Sequence, residues 1–182
     1  MQGLSIRNPD GGPLRLRAAR TEGRRLPTIL AILVVGIVAT LAMDAAWALG
    51  IALKVFRTPP IGRWAMYILK GKPRQADIEK APAVKGEGAV SLPAHYVTGI
   101  VLAVPYLFLL DWFPLDPGNV LVATAYGLVT SLVPLLIMLP FMGYGLFGMG
   151  RTRDTFWLRQ ILVIHLAYGA GIGIALRLFF AT

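Results

Sequence analysis

Four stretches of the chain run apolar for about the length of a bilayer crossing, and segments rich in basic residues, proline and glycine separate them. A membrane-crossing helix needs about 20 mostly apolar residues. This predicts spans over about 27–53, 94–113, 119–143 and 157–180. The first has Pro27 at a tolerated first-turn position and Asp44 as its one charge before Lys54, and Arg57, Thr58, Pro59 and Pro60 end it. Ile61, Trp64, Ala65, Ile68 and Leu69 then recur at helical spacing, which predicts a short amphipathic helix along the membrane surface. Residues 73–93 are polar, with proline and glycine punctuation, and read as a loop. The second span leaves through Asp111, Trp112, Pro114, Asp116, Pro117 and Gly118, a connection short enough to make spans two and three antiparallel neighbours. Pro134 and Pro140 interrupt the third span and are expected to kink it, so that freed carbonyls must find partners inside the bundle. Glycines 143, 145, 148 and 150 loosen its exit, and the fourth span is entered through Arg151, Arg153, Trp157 and Arg159. The predicted fold class is an all-α membrane protein, a four-transmembrane-helix bundle with a short interfacial amphipathic helix.

Residues 1–26 do not fit this pattern: six arginines with Pro9, Gly11, Gly12 and Pro13 read as a disordered basic tail. A signal peptide is the alternative, but the apolar run continues past Ala42 to Leu53, too far for one. Composition agrees with the span count. The chain is 56% hydrophobic and 15% charged, with mean hydropathy +0.65, whereas a soluble domain carries about 25% charged residues. A net charge of +9 would suit nucleic acid, but the Lys and Arg residues lie between the hydrophobic runs, which reads as topology control and attraction to anionic lipid. The lipid bilayer is therefore the expected partner, nucleic acid is not, and a homo-oligomer or a larger membrane complex stays open. Loops 54–92 and 144–159 hold 11 of the 18 basic residues, favouring a cytoplasmic place for both loops, although the N-terminal tail opposes it. Arg-over-Lys usage and abundant Ala and Gly point to a GC-rich bacterial genome. The chain has no cysteine, which excludes disulfides, thiolate metal sites and cysteine nucleophiles.

Ionisable groups at membrane depth carry the functional signal, because lipid exposure of one costs several kcal/mol. Asp44 and His165 qualify. Asp44 shares a helical face with Thr40 and Trp47, while Ala42, Ala46 and Gly50 form a small-residue stripe suited to close helix contact. His165 lies on a face with Gly169 and Gly173, beside Tyr168. Helical rise puts Asp44 roughly 15 Å and His165 roughly 10 Å from the basic-loop side, so an Asp44–His165 pair, direct or water-bridged, is expected, with His95 at the mouth of the site. The plainer reading of that pair is a polar contact that fixes helix register. Met138 and Met142 offer thioethers to a soft metal, but bundle packing explains them more simply. The residues name no metal and no cofactor. No nucleophile elbow, phosphate loop or zinc-protease motif occurs in its required context, so nothing supports an enzyme.

The runs TLAMDAAWAL at 40–49, HYVTGI at 95–100, PFMGYGLFG at 140–148 followed by Arg151-Thr152, and HLAYG at 165–169 together resemble a family of small bacterial inner-membrane proteins catalogued as a domain of unknown function. The resemblance covers about residues 30–180. It implies a four-span bundle with Asp44, His95 and His165 among the family's polar positions, and it implies no known activity. The chain departs from the family in its long Arg-rich N-terminus, which raises the question of a misassigned start codon, and in lacking a proline soon after Arg151-Thr152. The expected function is a polar intramembrane site that binds or moves a proton, cation or small solute. The alternative is an accessory or assembly subunit that docks on a larger complex through its small-residue faces.

Overall fold

A computed structural model describes residues 28–150 and 155–180. The expected basic tail at 1–26 lies outside the described residues. Among those described, the chain is helical, and four of its helices are long and apolar enough to cross a membrane. It is a multi-pass membrane protein. The spans are α1 (Thr28–Ala52), α3 (Glu87–Trp112), α4 (Val120–Phe141) and α5 (Phe156–Phe179), and the short α2 (Ile61–Leu69) lies between the first two.

Small residues let these helices approach closely, as expected where lipid removes the hydrophobic drive between helices. Gly99 of α3 sits against the Thr40 side chain of α1, and Gly36 of α1 sits against Ile100. On α5, Gly171 meets Ala39 and Ala42 of α1, whereas Gly169 and Gly173 meet α4 at Ala123, Thr124, Gly127 and Val120. The matched positions run in opposite directions, so α1 packs antiparallel to α3 and α4 antiparallel to α5. One apolar cluster joins Val35, Ala39, Met43, Ala103, Tyr106, Ala123, Tyr168 and Ile172. A second joins Ile78, Leu135, Leu139, Met142, Tyr144, Trp157 and Ile161 near the opposite end.

Helix α3 corrects the expected boundary, starting at Glu87 rather than near residue 94. Pro93 sits inside it, removing one backbone donor without ending the helix. Contacts made before Pro93 compensate. Gly86 turns the chain in at φ 87°, and the Glu87 carboxylate accepts the Val84 N–H at 2.8 Å. Arg63 of α2 clasps the same carboxylate at 2.9 and 3.0 Å and donates to the Ala81 carbonyl at 3.0 Å. Hydrogen bonding to Glu87 holds the Arg63 guanidinium above its usual pKa, against partial desolvation. Gly62 allows the contact, since a side chain there would meet the Glu87 carbonyl.

Helix α4 departs from regular α geometry at Pro134, the first of its two prolines. Asn119 caps its start by accepting from the Leu121 and Val122 N–H groups. Pro134 lacks the N–H that would continue the helix, and Pro134–Met138 forms a wide turn in which the Leu139 N–H reaches back five residues to the Pro134 carbonyl. Beyond α4 the chain meets the segment before α3: Gln75 N–H donates to the Phe141 carbonyl at 2.7 Å, and Ile78 N–H to the Met142 carbonyl at 3.0 Å. Met142 is fully buried in that cluster.

Candidate functional site

The Asp44 side chain faces α3, because it shares a face with Thr40 and Thr40 packs on Gly99. The antiparallel crossing then sets it opposite His95 and Tyr96. His95 Nε2 lies 2.9 Å from Asp44 Oδ1, and the Tyr96 hydroxyl donates to Oδ2 at 3.0 Å. Both carboxylate oxygens are thus occupied, in a place where the Asp44 and His95 side chains keep 28% and 22% of their exposure.

The expected direct pair of Asp44 with His165 does not form. His165 is 5% exposed and turns to α4, where its Nδ1 lies 2.9 Å from the Thr130 hydroxyl. The reason is azimuth rather than depth. On α5, Gly171 is the residue that meets α1, while the face of His165, Gly169 and Gly173 meets α4. Helical rise fixes how deep a residue lies; which neighbour occupies each side of its helix is a tertiary fact.

His95 and His165, the chain's two histidines, nevertheless border one cavity of about 380 Å³. All of α1, α2, α3, α4 and α5 contribute to its wall, through Met43, Trp64, Gly99, Met138 and Ile164 among others. The apolar face expected for α2 supplies Ile61, Trp64, Ala65 and Ile68, while Leu69 is 74% exposed. The wide turn of α4 adds Pro134, Ile137 and Met138. Most of the wall is apolar, and its polar members are His95, Thr98, Gln160, His165 and Tyr168. Asp44 stands behind His95 rather than on the wall.

The remaining predicted residues serve this frame. Tyr168 is on the wall and donates its hydroxyl to the Gly99 carbonyl at 2.5 Å, tying α5 to α3. Thr40 is fully buried and bonds back to the Gly36 carbonyl at 2.7 Å. Trp47 Nε1 donates to the Arg57 carbonyl at 3.3 Å. Among the small residues, Ala42 touches Gly171 and Gly50 lies under the Phe56 ring, while Ala46 is half-buried. Gly169 and Gly173 are taken up by α4, as the spacing implied.

Tyr96, Thr130 and Gln160 escaped the sequence reading. Gln160 is 2% exposed and clamps the α1–α2 link by accepting the Arg57 N–H at 3.0 Å and donating to its carbonyl at 2.9 Å. Tyr96 adjoins a flagged histidine, and Gln160 lies in the first turns of the last span; Thr130 carries no comparable signal.

Residues 33–178 match the family described as "Protein of unknown function (DUF2938)". No curated protein and no solved structure matches the chain.

Proposed function

We propose a function from the chain's own geometry, on the premise that it belongs to the DUF2938 family of proteins of unknown function. The protein binds a small solute in an intramembrane cavity, in a bacterial inner membrane, with His95 and His165 as the polar groups that meet it. The observation carrying this reading is that both histidines of a 182-residue, largely apolar chain border the same cavity. A cavity of this size, mostly apolar with a few convergent polar groups, is what a small-molecule site requires. Asp44 acts as a positioning residue: by accepting from His95 Nε2 it holds that ring on the wall.

The accessory-subunit reading needs free small-residue faces. Here Gly169, Gly173 and Ala42 are used within the chain, which favours the cavity reading. Filling the cavity tests it. Ala65→Phe and Ala94→Phe each place a ring at a wall position. Mass spectrometry of small molecules extracted from the purified protein should find a solute with the wild type and lose it in both variants, with helix content unchanged. Identical extracts from all three proteins would sink the reading.

A further inference from the structure

The hydrogen bonding of His165 is unfinished, and its direction identifies what would finish it. The Thr130 hydroxyl has one proton, engaged by the Gly127 carbonyl at 2.7 Å. Its oxygen is therefore the acceptor toward His165 Nδ1 at 2.9 Å, and Nδ1 carries a hydrogen. The neutral ring then presents Nε2 as a bare acceptor. Among the described residues Nε2 has no donor, yet it is not sealed in the core: the one fully enclosed side-chain N or O atom without a partner is the Tyr106 hydroxyl. With the Nδ1 edge turned to α4, the Nε2 edge is left to the cavity that His165 lines.

The other deeply buried polar groups on the wall are already engaged. Gln160 is used on Arg57 and the Tyr168 hydroxyl on Gly99. No carboxylate lines the cavity among the described residues, and Asp44, behind the wall residue His95, is turned to His95 and Tyr96, so a cation entering would lack the several oxygen ligands it needs. Of the deeply buried polar groups on the wall, this leaves His165 Nε2 as the acceptor without a donor among the described residues, in a mostly apolar chamber. The chamber also has an apolar edge: Val133 and Ile137 on the membrane-spanning α4 and Ile68 on α2 are 40%, 50% and 43% exposed.

We propose that the ligand is a small, mostly apolar molecule carrying one hydroxyl, an aliphatic alcohol or phenol, that enters from the lipid side. Its O–H donates to His165 Nε2, and its hydrocarbon lies against Ile137, Met138 and Ile164. This rests on the cavity reading above and adds the ligand's chemistry.

The test uses the full chain in lipid nanodiscs with two probes of matched size, 4-hexylphenol and its methyl ether 4-hexylanisole. Trp64 and Trp157 on the wall report binding by fluorescence. The two histidines, labelled with ¹⁵N, report which ring nitrogen is engaged. The phenol should bind about tenfold more tightly than the ether and should move the Nε2 resonance of His165. His165→Phe should bring the two affinities together. If that variant does not fold, Thr130→Val serves instead: it removes the hydroxyl that sets the tautomer, and should narrow the gap while leaving ether binding unchanged. Equal binding of both probes to the wild type overturns the acceptor role and leaves the cavity reading standing. No binding of either probe overturns both.

Discussion

Asp44 is held by donors from two successive residues of one helix, His95 and Tyr96. Removing the carboxylate strands both in a half-buried place, and stranded donors cost more than the net value of the bonds they made. Asp44→Ala should therefore lower stability by about 1–3 kcal/mol. Asp44→Asn keeps an acceptor oxygen and should lose distinctly less. Unfolding in mild detergent measures both, and an alanine variant as stable as the wild type would show that the contact contributes nothing to the fold. His165 predicts differently, because its Nδ1 bond to Thr130 is internal and its Nε2 edge is not. A change there should register in ligand preference more than in stability.

Helix contacts in this bundle depend on which glycines are crossed. A Cβ on Gly127 would lie 2.6 Å from the Gly169 Cα and would also meet the His165 carbonyl, so α4 and α5 must separate to admit it. Gly127→Ala should destabilise by about 1–3 kcal/mol through overpacking against backbone. Gly88, in the first turn of α3, is the control: a Cβ there meets nothing within 4 Å. Gly88→Ala should be neutral or stabilise by about 0.5–1 kcal/mol, since alanine has less backbone freedom to lose in a helix. Thermal melting of the two variants side by side decides the matter, and equal melting points would remove the close-contact argument for α4 and α5.

Over the whole molecule, the segment before α3 and the one after α4 belong to the same end. Backbone bonds join Gln75 to Phe141 and Ile78 to Met142, and the Tyr144 hydroxyl reaches Glu79 at 2.8 Å. The opposite end holds the α3–α4 turn, where Gly118 lies beside Arg177 of α5. Reporter fusions near Lys80 and near Gly150 should thus report one compartment, and fusions near Asp116 the other. On the positive-inside rule we propose that the Lys80 end faces the cytoplasm. Deleting residues 2–25 should strengthen that orientation, because the opposing arginines disappear. A periplasmic signal at Lys80 would reverse the orientation, and opposite signals at Lys80 and Gly150 would contradict the fold.

The sequence by itself determined the four spans, the amphipathic α2 and the place where α4 loses regular geometry, because each follows from a local rule: apolar length for a crossing, periodicity for a face, proline for a lost donor. It also singled out Asp44, His95 and His165, since polar and ionisable groups stand out in runs otherwise suited to lipid. Tertiary structure alone decided their partners. Asp44 met His95 because α1 crosses α3 antiparallel with Thr40 on Gly99, and His165 met Thr130 because its face of α5 belongs to α4. The start of α3 was likewise settled from outside the segment, by Arg63 on Glu87, which outweighed the break expected at Pro93. Depth along a helix is written in residue number at about 1.5 Å per residue. The direction around the helix acquires a meaning only when another helix is packed against it.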